Sequence, residues 1–123
     1  MIEHVSVPVS DVKASKAFYT KALKPLGYEP WMTFPDAVGF VESGHARLWI
    51  GKKETVVPMH VAFLAPSQKA VHAFHAAALK AGGKDNGKPG YRDYSPDYYA
   101  AFVYDPDGNN IEAVWYDPER KET

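Results

Sequence analysis

Along this chain, short runs of β-branched and aromatic residues alternate with stretches whose apolar positions recur every three or four residues. Ile2–Val9 (IEHVSVPV) carries Ile2, Val5, Val7 and Val9 and predicts a strand. Ser10 and Asp11 are capping residues. Behind them, Ala14, Ala17, Phe18 and Ala22 fall at helical spacing within Val12–Lys24, with Lys13, Lys16 and Lys21 on other faces. Pro25 and Gly27 end that helix. Strands are expected next over Tyr28–Thr33, Ala37–Glu42 and Arg47–Gly51, parted by the turn pairs Pro35-Asp36 and Ser43-Gly44. Met59–Ala65 reads as another strand and Ser67 as a helix cap. Ala70, Ala73, Phe74, Ala77, Ala78 and Ala81 form the stripe of a second helix, which Gly82-Gly83 stops. Lys84–Tyr98 is rich in Gly, Pro and Tyr and reads as a loop. Tyr99–Tyr104 and Asn109–Tyr116 then read as a hairpin around Asp105-Pro106-Asp107-Gly108, and the charged tail from Asp117 is expected to fray.

The two halves of this pattern are copies. Between His4–Gly27 and His60–Gly83, a shift of 56 positions without a gap makes ten of 24 positions identical, including His4/His60, Phe18/Phe74 and Gly27/Gly83. Average composition would give roughly two. The chain is therefore a tandem duplication, and a unit of this size is too small to fold comfortably alone. We expect one domain spanning 1–123, with a first module at about 1–52, a linker at 53–58 and a second module at about 59–117. The fold class is α+β, with two tandem βαβββ modules.

Composition narrows the function. The 123 residues carry a net charge of −1, which gives no electrostatic footprint for nucleic acid or an anionic membrane. There is no cysteine, so disulfides and thiolate metal sites are excluded. No charged leader precedes an apolar stretch and no long apolar run occurs; the expectation is a cytoplasmic protein with neither nucleic acid nor membrane as partner. Eight Tyr, six Phe and three Trp exceed what a small core needs, so some rings are expected to line a pocket.

Three residues carry metal-type chemistry. His4 and His60 occupy matching places in the two copies, and Glu112 lies in NNIEAVW between apolar neighbours. An acid in an apolar strand is expensive to bury unless it is paired or coordinates a cation. A single such His is more often a hydrogen-bonded core residue, and a single such Glu more often faces solvent. Two imidazoles and one carboxylate together form a set suited to Fe, with Mn, Zn or Ni also compatible, and leave positions open for water and substrate. His4, His60 and Glu112 are therefore the expected ligands of one divalent metal.

The stretches His4-Val5-Ser6-Val7-Pro8-Val9, Ala17-Phe18-Tyr19 through Leu26-Gly27-Tyr28, His60-Val61-Ala62-Phe63, and Asp105-Pro106-Asp107-Gly108-Asn109-Asn110-Ile111-Glu112 resemble the vicinal oxygen chelate superfamily. That superfamily includes glyoxalase I, fosfomycin and bleomycin resistance proteins and extradiol dioxygenases. The resemblance covers nearly the whole chain, and the DPDGNxxE run is its most specific part. It implies paired βαβββ modules forming an open, curled mixed sheet around a cleft with a divalent metal on its wall, and it puts His4, His60 and Glu112 on the metal positions. The chain departs from glyoxalase I at the fourth ligand: aligning the Gly44 turn with Gly108 puts Leu48 where that acid would stand.

The Tyr-rich segment GKPGYRDYSPDYY is expected to cover a substrate. Tyr98 and Tyr99 are the candidate catalytic acids, while Tyr91, Arg92, Tyr94 and Trp49 are candidates for substrate binding. Trp31, Phe34 and Phe40 are further candidates for the cleft wall, with core packing as the default. His72 and His75, on the second helix, and His45, in a turn, read as surface residues. The leading expectation is a metal-dependent enzyme, assembled as a homodimer, acting on a small molecule with two adjacent oxygens; lyase, transferase and oxygenase chemistry stay open. The alternative is a metal-free small-molecule binding protein like those of bleomycin resistance. A regulatory module with a vestigial triad is a third reading.

Overall fold

A computed structural model describes residues 1–120. The elements run β1 (Val5–Val9), α1 (Val12–Ala22), β2 (Glu29–Phe34), β3 (Ala37–Glu42), β4 (His45–Lys52), β5 (His60–Leu64), α2 (Gln68–Lys80), β6 (Lys84–Tyr91), β7 (Tyr98–Tyr104) and β8 (Asn110–Tyr116), with a 3-10 turn at Lys24–Leu26. They build two four-stranded sheets, in the orders β1-β4-β3-β2 and β5-β8-β7-β6. In each sheet the first strand lies parallel to the last and the other pairings are antiparallel. The class is α+β with tandem β-α-β-β-β topology. β1 and β5 are edge strands of separate sheets.

Local chemistry sets most of the boundaries. Asp11 Oδ1 accepts from the Ala14 amide at 3.1 Å, and Ser67 Oγ accepts from the Ala70 amide at 3.1 Å, so both helices start at side-chain caps. The buried faces differ from those the alanines suggest. In α1 the buried residues are Ser15, Phe18, Tyr19 and Ala22, while Ala14 and Ala17 are exposed. In α2 they are Ala70, Val71, Phe74 and Ala78. The segment expected as a loop from Lys84 contains β6. Gly and Pro weaken a strand, yet an edge position tolerates them. β6 pairs with the apolar β7 and shows two register shifts, around Gly87 and Gly90.

One core joins both halves. Val7, Phe18, Tyr19, Phe40, Leu48 and Ile50 from the first half pack in the same cluster as Phe63, Phe74, Tyr99, Val103 and Ile111 from the second. Gly83 marks a close approach between them: a Cβ there would lie 2.8 Å from the Phe18 ring and 2.6 Å from Val103. The DPDGN turn fastens the halves through polar groups. Asp105, 5% exposed, accepts from the Asp107 and Asn109 amides on Oδ1, and from the Tyr19 hydroxyl and Asn109 Nδ2 on Oδ2. Asn109 Nδ2 also donates to the Pro8 carbonyl, and its Oδ1 accepts from the Met59 amide. The Ser10 amide donates to Asp107 Oδ2. This explains why Tyr19 turns inward in α1: its hydroxyl reaches a carboxylate of the other half at 2.5 Å. Of the tail expected to fray, Asp117 is held by Tyr91, while residues 121–123 lie outside the described residues.

Candidate functional site on the second sheet

Strand alternation divides β8 between two faces. Ile111 and Ala113 point into the main core, where α2 packs. Glu112 and Val114 point to the opposite face, together with Ala100 and Phe102 of β7. The register places Gly87, Phe102, Glu112 and Ala62 in one row across this face.

Glu112 is the centre of the site. Its side chain is 2% exposed, and both oxygens are engaged. Oε1 lies 2.8 Å from His60 Nε2, and Oε2 accepts from the Tyr98 hydroxyl. A carboxylate removed from water needs such partners, because an unpaired one is strongly destabilising. His60 belongs to β5 and is half exposed, so the pair opens to solvent on its imidazole side. Its ring lies 6.1 Å from that of Phe102. Tyr98 packs edge-on against Tyr94 at 5.0 Å and Tyr116 at 5.5 Å. Burial and then the bond to Glu112 push the Tyr98 phenol well above its ordinary pKa, so it stays a proton donor at neutral pH.

His4 stands apart from this centre. It bonds its neighbour Glu3 at 2.5 Å, which holds the Glu3 carboxyl below its usual range, and its side chain is half exposed. His4 and His60 do line one groove of about 410 Å³, shared with Tyr28, Arg47, Met59 and Phe63. Even so, among the described residues no three His, Asp or Glu side chains gather closely enough to hold a metal ion. The expected triad within one chain is thus reduced to the pair His60–Glu112. The physical reason is that β1 and β5 are not hydrogen-bonded to each other, so no sheet register brings His4 to the pair.

The other candidate residues are distributed over several surroundings. Tyr99 points to the helix face, where its hydroxyl shares a 2.6 Å hydrogen bond with His72 Nε2. Tyr91 donates to Asp117 and carries the Arg120 guanidinium 3.6 Å above its ring. Arg92 lies 5.3 Å over the Phe102 ring, on the face that holds Glu112. Trp49 stacks with Phe34 in the first sheet, at a centroid distance of 6.3 Å. His75 bonds Asp85 at 2.9 Å and its side chain is only 12% exposed, so it is less of a surface residue than its spacing suggests. That bond is the main cause of the lowered Asp85 pKa.

The register also corrects the counterpart of Glu112. Glu112 pairs with Ala62, and Ala62 corresponds to Ser6, whose partner is Trp49. Trp49 therefore fills the equivalent place, and Leu48 points into the core. The one-residue offset follows from an irregularity in β4, where Phe40 pairs with Leu48 but Val41 pairs with Ala46, leaving Arg47 as an extra residue. Phe102 is the site residue that sequence reasoning passed over. Its available signal was its alternation with Ala101 and Val103 in an all-apolar strand, which marks no face as special.

Comparison with known proteins matches this architecture. Residues 1–113 fit the family model of the Glyoxalase/Bleomycin resistance protein/Dioxygenase superfamily, and the chain belongs to that superfamily. A glyoxalase/bleomycin resistance protein from Albidiferax ferrireducens T118 is 31% identical, with a TM-score of 0.79 over 92% of this chain and 96% of that one. A glyoxalase/bleomycin resistance protein/dioxygenase family enzyme from Burkholderia phytofirmans PsJN is 18% identical, with a TM-score of 0.72 over 94% and 98%. Lactoylglutathione lyase from Agrobacterium tumefaciens shares the fold at 18% identity and a TM-score of 0.70, over 94% and 92%. No match was found among curated proteins. No described helix is long and apolar enough to cross a membrane.

Proposed function

We propose that this chain is a metal-dependent enzyme acting on a small molecule with two adjacent oxygen atoms, and that His60 and Glu112 are its metal ligands. The observation that carries this reading is the buried Glu112 carboxylate, held 2.8 Å from an imidazole nitrogen that opens to solvent. Two donors at that separation suit neighbouring positions around one divalent cation, whose bonds to N and O are about 2.0–2.2 Å long. Histidine with carboxylate suits Fe, Mn, Zn or Ni. When bound, such an ion supplies Lewis acidity to the adjacent oxygens of a substrate. Tyr98 orients the carboxylate through its other oxygen, as partners of metal ligands commonly do. Phe102, buried and paired with Glu112 across the strands, gives the carboxylate an apolar neighbour on the same face.

A homodimer belongs to this reading, because the pair is short of a third protein donor. His4 of a second copy is the proposed donor. Support comes from the two edge strands β1 and β5 and from the exposed apolar residues Trp31, Phe34 and Leu64. We place the enzyme in the cytoplasm on the same reading.

Metal content tests the proposal. Protein dialysed against Mn, Zn, Ni or Fe(II) should retain close to one ion per chain, and His60→Ala or Glu112→Gln should lose it. Mixing His4→Ala chains with His60→Ala chains should restore sites if His4 comes from the partner. A second reading, metal-free small-molecule binding, is favoured by the way His60, Glu112 and Tyr98 already satisfy one another. Wild-type protein that retains no ion yet binds an aromatic ligand would select it.

A further inference from the structure

The Arg92 guanidinium is held in a prepared seat. Nη1 donates to the Gly90 carbonyl at 2.9 Å and Nη2 to the Lys88 carbonyl at 2.7 Å. Its Cζ lies over the Phe102 ring, 5.3 Å from the centroid. Two glycines make room for it. A Cβ on Gly87 would lie 3.0 Å from Nη2, and one on Gly90 would lie 3.2 Å from Nη1. Guanidinium has five N–H donors, and these contacts use two of them. Among the described residues, no carboxylate lies within salt-bridge distance of Arg92. A half-buried, immobilised cation with spare donors is well matched to a planar anion, because little flexibility is left to lose on binding.

The position of this seat indicates what it would hold. Gly87, Phe102 and Glu112 are successive members of one cross-strand row. Strand spacing puts Gly87, which the guanidinium lies against, two strands or about 10 Å from Glu112. A cationic pole, backed by the Phe102 ring, and the His60–Glu112 pair thus lie on one face.

We propose that Arg92 binds the anionic group of a small organic acid, carboxylate or phosphoryl, whose other end reaches towards His60–Glu112. Only the last clause rests on the metal reading given above. The spacing fits a molecule about one aromatic ring long between its two polar ends. The seat selects for negative charge at one end.

Calorimetric titration with benzoate, phenylphosphonate and the neutral benzamide tests this on full-length protein, first without added metal. At least one of the two anions should bind at least tenfold more tightly than benzamide, and the tighter of them identifies the anion class. Arg92→Gln should remove that preference while leaving benzamide binding unchanged. Arg92→Lys, which keeps the charge but loses the fork, should recover only part of it. Gly87→Ala, which keeps the Arg92 charge but crowds both its Nη2 and the Phe102 ring, should weaken the anion several-fold. Equal binding of anion and amide, no anion binding by the wild type, or an anion preference that survives in Arg92→Gln would overturn the proposal. Manganese binding measured on the same samples separates the two readings. Anion selectivity without metal binding leaves the Arg92 assignment standing and removes the metal; metal binding without anion selectivity does the reverse.

Discussion

The two sheets share a topology but have opposite chemistry on equivalent rows. In the second sheet the row reads Gly87, Phe102, Glu112, Ala62; in the first it reads Met32, Gly39, Trp49, Ser6. Both use one device, an aromatic ring lying across a glycine of the next strand. The Trp49 ring is 2.9 Å from where a Gly39 Cβ would be, and the Phe102 ring is 3.0 Å from where a Gly87 Cβ would be. The difference is where the ring starts. In the first sheet it grows from the strand beside β1 and takes the place of the acid. In the second it grows one strand farther out and leaves the inner place to Glu112. One duplicated unit has thus become an aromatic surface and the other a polar centre, while the core behind them is common.

The comparison can be broken most severely at the joint. Asp105→Ala strands the Tyr19 hydroxyl, Asn109 Nδ2 and two amides in a buried place, and should cost about 3–5 kcal/mol. Chemical denaturation of the variant reads this directly, and a loss under 1 kcal/mol would show that the turn does not fasten the halves.

The next test sets the equivalent histidines against each other. His60→Ala leaves the buried Glu112 with one partner and should cost about 2 kcal/mol, whereas His4→Ala, exposed and bonded only to its neighbour, should stay within about 0.5 kcal/mol. Equal losses in thermal or urea unfolding would mean that the copies are energetically alike at this position.

A methyl group probes the two aromatic covers. Gly39→Ala forces the Trp49 ring to move and should cost about 1–3 kcal/mol. Trp49→Ala should relieve that penalty, so the double variant should lie closer to Trp49→Ala than additivity predicts.

The smallest effect is a slope at alkaline pH. Burial, followed by the Asp105 charge, raises the Tyr19 phenol well above its ordinary value. The unfolded chain loses this proton near pH 10 while the folded chain keeps it. Tyr19 therefore leaves stability unchanged well below pH 10 and diminishes it as pH rises above that value, by up to about 1.4 kcal/mol per pH unit. Urea midpoints between pH 8 and 11 should fall less steeply in Tyr19→Phe than in the wild type.

How far the sequence reveals this molecule depends on whether the signal is local. The helix caps Asp11 and Ser67, the turn residues and the duplicated order of elements are local, and their chemistry reads directly. Glu112 was legible for a similar reason, since an acid between Ile111 and Ala113 in a strand needs a partner once it is buried. β6 was not legible, because KDNGKPGY has weak strand propensity and is carried by pairing with β7. Nor was the inward face of α1. Ala17 looks more buriable than Tyr19, yet Tyr19 is rewarded by a carboxylate 86 positions away. The Leu48 alignment failed by one residue because a bulge is invisible until the strands are paired. The separation of His4 from His60–Glu112 is of the same kind. A repeat shows that two residues are equivalent, while their distance depends on how the copies pack.

The most direct measurement of the central claim is a crystal of the protein grown with manganese or zinc and examined by anomalous scattering. A peak within about 2.3 Å of both His60 Nε2 and Glu112 Oε1 is the result predicted here. No peak at that pair, or a peak confined to the His75–Asp85 pair on the far face, would contradict it.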